Sequence, residues 1–335
     1  MPRLSLCPLT IIRATHRELV EAAAAGGFDA VGFRLIAPRP GDPVHPVEGA
    51  NGVSDLRKRI SDHGIALFDI ESLWLSPATE PETIRPALEI CTALGGKNLL
   101  IAGNDPEPDR MAANFAAVTA LAAEFGIRAC IEPTSWCVVH RLDQAKDLIR
   151  RAGVANAGII IDTLHMDRAG ETPVSMAALD PTLIAYVQIC DAGPDHPASA
   201  AELMAEARGN RLLPGEGALP LNAVLDALPQ SLTVGVEAPT RELAALSLPE
   251  AAKRAEMRRA YSSRCGKHAA DPRPWALEAR HLRCYRPATA VPRPNHPSMA
   301  RVSHEHLRMT DQKTGRGYQC SSSITQAPRT RLRSR

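Results

Sequence analysis

Short, continuously apolar segments recur along the chain, and most are followed by a segment with helical spacing. The segment Gly158–Ile161 is apolar and β-branched, which is typical of a strand buried on both faces of a parallel sheet. It ends at Asp162, and a helical stretch that includes His165 follows. Three further segments of this form end at oxygen-bearing side chains, namely Glu132, Gln188 and Glu237. Four consecutive predicted strands therefore end at potential catalytic or ligand groups.

Predicted strands and helices alternate throughout residues 1–261. The predicted strands are Arg3–Cys7, Asp29–Leu35, Ile65–Ile70, Lys97–Ile101, Gly126–Ile131, Gly158–Ile161, Ile184–Val187 and Leu232–Val236. The predicted helices are His16–Gly26, Val53–His63, Glu82–Leu94, Arg110–Phe125, Leu142–Ala152, Leu221–Leu228 and Pro249–Tyr261. Eight strand-then-helix units over this length predict an α/β fold of the closed (β/α)8 type, a TIM barrel. A doubly wound open sheet is the alternative, but no glycine-rich GxGxxG turn follows the first strand.

In a closed barrel, all strand ends meet at one mouth. Two further polar residues, Arg34 near the end of the second strand and Glu71 after the third, would then join Glu132, Asp162, Gln188 and Glu237. In an open sheet the same residues would be spread along one edge. The barrel prediction is therefore also a prediction of one polar site.

Residues 262–335 do not continue the repeat. They hold 15 Lys and Arg residues against 4 Asp and Glu residues, a net charge of +11, whereas the whole chain has +2 and residues 1–261 therefore have −9. Arg, Pro, His and Ser dominate, with isolated apolar residues. This composition predicts a disordered basic tail after a barrel domain of residues 1–261. A nucleic-acid-binding tail is an alternative that the absence of interleaved aromatic residues disfavours.

Composition narrows the class of protein. Apolar residues make up 44% of the chain and aromatic residues 4%, so the core is expected to consist of aliphatic side chains. No apolar run reaches the roughly 18 residues of a membrane span, and the N-terminal segment lacks the pattern of a secretory signal. The eight cysteines are scattered, which is typical of free thiols in a reducing compartment. We therefore expect a cytoplasmic protein without a membrane partner.

The four polar strand ends suit a hard metal ion. Glu132, Asp162, Gln188 and Glu237 offer three carboxylates and an amide oxygen, the donors that Mg²⁺ or Mn²⁺ prefers, with Co²⁺ as a further option. Three carboxylates at one mouth would repel each other, and a divalent cation would remove that cost. The sequence thus predicts a site for one divalent metal ion.

The segments IEPTSW, IIDTLHM, VQICDA, RLLPGEG and VGVEAP resemble those of the xylose isomerase-like barrel superfamily of sugar (phosphate) isomerases and epimerases. The resemblance covers residues 1 to about 261. It implies that Glu132, Asp162, Gln188 and Glu237 hold one metal ion. It also implies that Glu132 and Glu237 act as acid and base on opposite faces of the substrate. His165 and Arg211 would bind substrate oxygens.

Gln188 departs from the epimerases, in which the third ligand is usually histidine; it is similar to the 3-dehydroshikimate dehydratases of the same superfamily. The leading hypothesis is a metal-dependent isomerase or epimerase of a sugar or sugar phosphate that works through an enediolate. The alternative is a dehydratase, a carbon–oxygen lyase, acting on 3-dehydroshikimate or an inosose with the same residues. An inactive barrel with a nucleic-acid-binding tail ranks below both. Apurinic endonucleases are disfavoured because the first four strand ends carry no histidine.

Residues at the mouth would select the small-molecule substrate, whether a sugar, a sugar phosphate or a cyclic polyol or keto acid. Arg34 and Arg211 could bind a carboxylate or phosphate through two hydrogen bonds. Arg34 could equally form an ion pair with a neighbouring strand end, and Glu71 could contact substrate or pair with such an arginine. Trp136 and Trp74 could form an apolar wall. Whether the chain forms a homo-oligomer stays open.

Overall fold

Eight parallel strands close into a barrel in which each strand pairs with the next along the chain and the eighth pairs with the first. The structure, a computed structural model, describes residues 3–39, 41–42, 44–47 and 49–256. The strands are β1 (Leu4–Leu6), β2 (Ala30–Arg34), β3 (Ala66–Leu75), β4 (Asn98–Gly103), β5 (Arg128–Glu132), β6 (Ala157–Asp162), β7 (Ile184–Ile189) and β8 (Val234–Val236). The barrel prediction is confirmed, and the open-sheet alternative is wrong.

Helices surround the strands. They are α1 (His16–Gly26), α2 (Gly49–His63), α3 (Arg85–Ala93), α4 (Pro108–Glu124), α5 (Leu142–Ala152), α6 (Thr163–Arg168), α7 (Pro173–Ala177), α8 (Ala200–Gly209), α9 (Leu221–Ala227), α10 (Arg241–Ala245) and α11 (Leu248–Ala255). Two 3₁₀ turns, Pro8–Ile11 and Pro81–Ile84, precede α1 and α3. None of the helices within the described residues is long and apolar enough to cross a membrane.

Local sequence explains where α1 begins and ends. The Thr15 side chain accepts a hydrogen bond from the backbone N–H of Glu18, and the Glu18 side chain accepts one from the backbone N–H of Thr15. This capping box satisfies two of the free N–H groups at the helix start. The helix ends at Gly26 and is followed by Gly27, whose φ of 81° is left-handed and favours glycine. Because α1 starts and stops at these signals, its predicted bounds are confirmed.

The barrel has an apolar layer on each side of its strands. Outside, aliphatic residues of the strands pack against the helices in one continuous core. Inside, a smaller cluster of Leu100, Cys130, Ile160 and Tyr186 fills the bore. Side chains alternate between the two faces of a strand. Residues two positions apart on a strand point to the same side. Cys130, Ile160 and Tyr186 are each followed two positions later by a polar residue, so these polar side chains also point into the barrel; they are Glu132, Asp162 and Gln188.

Several predicted element bounds need correction. The third strand does not end before Glu71 but continues to Leu75, so Glu71 lies inside β3. The helix predicted from Val53 begins at Gly49, and the one predicted from Glu82 begins at Arg85 after a 3₁₀ turn. The short helices α7 and α10 and the longer α8 were not predicted, because each follows a polar loop without a clear apolar period.

The division into a barrel domain of residues 1–261 and a tail of residues 262–335 stays a prediction. The last helix, predicted to reach Tyr261, ends at Ala255. Residues 257–261 and the predicted tail of residues 262–335 lie outside the described residues. The five cysteines among the described residues, Cys7, Cys91, Cys130, Cys137 and Cys190, are free thiols, as predicted, and all five are buried.

Candidate active site

A pocket opens at the carboxyl ends of the strands. Six of the eight predicted site residues line it, namely Arg34, Glu71, Glu132, His165, Arg211 and Glu237. Trp74 and Trp136 line it too. The other two residues, Asp162 and Gln188, are register partners across β6 and β7 and are fully buried. Closure of the barrel therefore brings together strand ends that lie far apart in sequence, as predicted.

Arg211 occupies the centre of one side of this site. Its guanidinium donates from Nη1 to Asp162 Oδ2 at 2.7 Å and from Nη2 to Glu237 Oε2 at 2.9 Å. Nη1 also donates to the Glu237 carbonyl at 3.0 Å, and Nε donates to the Ala207 carbonyl at 2.8 Å. The Arg211 side chain is 1% exposed. Two of the predicted metal ligands are thus bridged by a buried arginine that the sequence assigned to substrate binding.

Three of the buried side chains have the spacing of a metal site. One ligand atom each of Glu132, Asp162 and His165 lies within 4.8 Å of the other two. Glu132 Oε1 and Gln188 Oε1 are buried and have no hydrogen-bond partner among the described residues. Unpaired buried oxygens are costly unless a ligand satisfies them. The residues present therefore fit a divalent cation bound by hard donors.

His165 is held at the start of α6. Its backbone N–H donates to Asp162 Oδ1 at 2.9 Å, and its ring Nδ1 lies 3.2 Å from Ser135 Oγ. Trp136 packs edge-on against the imidazole, with ring centroids 5.0 Å apart. Burial lowers the pKa of His165 to about 4 although the Asp162 carboxylate opposes the shift, so the ring is neutral at neutral pH. A neutral imidazole can bind either a metal ion or a substrate hydroxyl.

The remaining carboxyl groups share an environment that disfavours their charge. Burial, and then the charges of Glu237 and Asp162, raise the pKa of Glu132 well above its usual range. Burial raises the pKa of Glu237 to about 7, because Arg211 only partly offsets it. Burial followed by the charges of Glu237 and Asp69 raises the pKa of Glu71. The site therefore contains more buried acidic groups than its arginines neutralise.

Arg34 and Glu71 face each other on the opposite side of the site. They are register partners on β2 and β3, and Arg34 Nη2 lies 3.6 Å from Glu71 Oε2, which is longer than a hydrogen bond. Both residues are buried, with Arg34 7% exposed. Arg34 Nε, Glu71 Oε1 and Trp136 Nε1 have no hydrogen-bond partner in the described part of the chain. The ion pair that the sequence allowed for Arg34 exists, but it leaves polar atoms on both residues unused.

Five residues near the site were not among the predicted site residues, namely Cys7, Asp69, Ser135, Tyr186 and Asp191. Gln188 Nε2 donates to Cys7 Sγ at 3.6 Å, and the Tyr186 hydroxyl donates to Asp69 Oδ2 at 2.7 Å in the bore below the site. Ser135 contacts His165, and Asp191 follows β7 with a fully engaged carboxylate. For Asp191 and Ser135 the signal was their place beside a strand end, whereas no sequence pattern pointed to Cys7 or Asp69.

Comparison with known proteins gives the chain a context. A family model described as a xylose isomerase-like TIM barrel matches residues 20–261. The 3-dehydroshikimate dehydratase of Pseudomonas aeruginosa is 28% identical over 227 residues, which cover 64% of this chain and 34% of that protein. The chain therefore spans about a third of the length of this curated relative.

Solved structures share the barrel. The IolI protein with a bound zinc atom has a TM-score of 0.61 and 19% identity, covering 76% of this chain and 95% of its own. D-allulose 3-epimerase from Methylomonas sp. in complex with D-allulose has a TM-score of 0.58 and 16% identity, covering 78% of this chain and 96% of its own. At these identities the likeness concerns the fold alone.

Proposed function

The chain belongs to the xylose isomerase-like TIM barrel family, as its motifs predicted, and we propose that it is a divalent-metal-dependent dehydratase. Its substrate would be a cyclic β-hydroxyketone that carries a carboxylate, of the 3-dehydroshikimate type. The observation that carries this choice is Arg34, a buried guanidinium at the pocket wall whose Nε has no hydrogen-bond partner within the described residues. A planar carboxylate is the group that best completes such a guanidinium.

Glu132, Asp162, Gln188 and Glu237 would hold the metal ion, with His165 as a further donor close to Glu132 and Asp162. The unpaired oxygens Glu132 Oε1 and Gln188 Oε1 support this assignment. A divalent cation bound there would polarise the substrate carbonyl and lower the pKa of the adjacent C–H group. It would also compensate the surplus of buried carboxylates.

The acid–base work falls to Glu132 and Glu237. One carboxylate removes the proton next to the carbonyl, and the electron pair of that C–H bond forms a carbon–carbon double bond. The C–O bond to the β-hydroxyl breaks, and the opposite carboxyl group supplies the proton with which the hydroxyl leaves as water. Both glutamates line the pocket, and burial raises the pKa of both, that of Glu237 to about 7, so that a carboxyl group in this site can hold a proton near neutral pH.

Most of the other site residues would bind the substrate. His165 would contact a substrate oxygen, and Arg211 would hold Asp162 and Glu237 in position beside it. Arg34 would bind the carboxylate with Glu71 beside it. Trp136 packs against His165 and lines the pocket, and its Nε1–H has no hydrogen-bond partner within the described residues. The curated relative supports the dehydratase assignment, although the match covers only a part of that protein.

A sugar isomerase or epimerase, the leading hypothesis from sequence, is the second candidate. The observation that favours it is the presence of two carboxyl groups in one pocket, since one can remove a proton and the other can return a proton to the opposite face. A neutral sugar substrate would leave Arg34 without a role, whereas a sugar phosphate would offer it an anionic group to bind.

Turnover of defined substrates separates the two candidates. We would incubate the full chain with 3-dehydroshikimate, an inosose and a panel of ketoses and ketose phosphates, first with chelator and then with Mg²⁺, Mn²⁺ or Co²⁺ restored. The proposal expects an aromatic product from 3-dehydroshikimate only with metal, and a loss of about 10³-fold in kcat for Glu237→Gln. Glu216→Gln is the matched control, because Glu216 lies outside the pocket lining and pairs with Arg254. Metal-dependent conversion of a ketose alone would contradict the dehydratase assignment.

A further inference from the structure

Asp191 is a buried acidic residue two positions after β7 that no part of the proposed reaction uses. It is 1% exposed. Its carboxylate accepts three backbone hydrogen bonds, from the N–H groups of Ala192 at 2.9 Å, Leu219 at 2.9 Å and Gly215 at 3.0 Å. Two of these donors belong to the segment after Arg211, which we call the Arg211 turn (residues 211–219).

The backbone of Asp191 binds the same turn. Asp191 and Leu212 exchange two backbone hydrogen bonds of 2.8 Å, which form an isolated antiparallel bridge. Gly217 packs so closely that a Cβ atom there would lie 2.4 Å from Asp191 Oδ1 and 2.3 Å from the Ala192 carbonyl oxygen. Asp191 therefore binds the turn near its start, its middle and its end.

The position of Arg211 depends on this turn. Leu212, which pairs with Asp191, is the next residue after Arg211, and the Arg211 backbone N–H donates one hydrogen bond of 3.3 Å to the Pro239 carbonyl. The Arg211 guanidinium nevertheless makes two ion pairs of 2.7 and 2.9 Å with Asp162 and Glu237. Contacts this short in a buried site require that the backbone which carries the side chain is held in place.

We propose that Asp191 is a positioning residue that holds the Arg211 turn, and thereby the Arg211 guanidinium, against Asp162 and Glu237. Its role in turnover rests on the proposed function; its role in holding Arg211 does not. The residue type matters, because a carboxylate has two acceptor oxygens for the three N–H groups. An asparagine would have one, and would place an NH₂ group against a backbone N–H.

Exchange of the Arg211 Nε–H with solvent measures this role directly. That group is buried and donates to the Ala207 carbonyl, so its proton should exchange slowly. Its NMR signal can be assigned by its disappearance in Arg211→Lys. We expect Asp191→Asn to speed the exchange at least tenfold, while backbone amides of β4 and β5 keep their rates.

Two variants control for general loosening, and one guards against a folding failure. Glu216→Gln alters the exposed part of the same turn, and Asp105→Asn alters another buried aspartate that accepts a backbone N–H, from Glu107 at 2.9 Å; neither should speed exchange of Arg211 Nε–H. Gly217→Ala disturbs the same contact from the opposite side, so it should reproduce the effect if Asp191→Asn does not fold. Unchanged exchange in the folded Asp191→Asn or Gly217→Ala protein would overturn the proposal.

The catalytic part has its own test. In the dehydration assay, Asp191→Asn and Arg211→Lys should be non-additive: the double variant should fall within about twofold of Arg211→Lys in kcat/KM, because both remove the same interaction. Multiplicative effects would show that Asp191 acts independently of Arg211. If no substrate is converted, the proposed function fails, and the exchange measurement still decides whether Asp191 holds Arg211.

Discussion

The two arginines at the mouth of this barrel differ in how completely the protein uses them. The Arg211 guanidinium donates hydrogen bonds to Asp162, Glu237 and two backbone carbonyls, all within 3.0 Å. Arg34 approaches Glu71 only to 3.6 Å and keeps an unpaired buried Nε within the described residues. A buried polar group without a partner is costly, so proteins keep such groups mainly where a ligand completes them. We infer that Arg211 holds the side chains on its side of the site in position, whereas Arg34 is available to bind a ligand.

The largest difference should appear in stability. Arg211→Met leaves Asp162 and Glu237 buried without their cation, and breaking such a pair costs about 3–5 kcal/mol. Arg34→Met removes a cation that approaches its partner Glu71 only to 3.6 Å, so it should lower the free energy of unfolding by clearly less than Arg211→Met does. Urea unfolding of both variants in chelator, which prevents a metal ion from replacing the arginine, measures this. Equal losses would mean that the two sides do not differ as described.

In substrate binding we expect a smaller effect, and here Arg34 should matter more than Arg211. Arg34→Met should raise KM for a carboxylate-bearing substrate by about 10- to 100-fold, the value of one or two hydrogen bonds to a charged group, with kcat changed far less. Arg34→Lys keeps the charge but not the fork of donors, so it should recover only a part of this loss. Steady-state kinetics on the substrate that the panel identifies gives both constants. A fall in kcat with KM unchanged would place Arg34 in the chemistry instead.

The sequence predicted most of the barrel because its strands are buried on both faces and its glycine and capping signals are local. The strand that ends at Asp162 and the helix Leu142–Ala152 needed no knowledge of their neighbours. Convergence of Glu132, Asp162, Gln188 and Glu237 followed from topology alone. By contrast, the extension of β3 beyond Glu71 depends on pairing with β4, where Trp74 and Leu75 lie opposite Ala102 and Gly103. Local pattern does not contain that information.

The sequence predicted which residues form the site better than it predicted the contacts between them. Arg211 was expected to bind substrate, yet it bridges Asp162 and Glu237, which lie 49 and 26 residues away in the chain. The three N–H groups that bind the Asp191 carboxylate belong to Ala192, Gly215 and Leu219. These residues lie in loops, and no hydrophobic periodicity in the sequence predicts the path of a loop. Such contacts depend on loop conformation and side-chain packing. Residue types at strand ends therefore indicate that a site exists but not which hydrogen bonds and ion pairs its residues form.

Metal binding tests the central claim most directly, because it depends on the mouth alone and not on the identity of the substrate. We would titrate the chelator-treated protein with Mn²⁺ and follow the free ion by electron paramagnetic resonance. The account predicts one Mn²⁺ per chain, an affinity at least about tenfold weaker in Asp162→Asn, and no change in Glu216→Gln. Equal Mn²⁺ binding by all three proteins, or none by any of them, would contradict a metal-dependent site at this mouth.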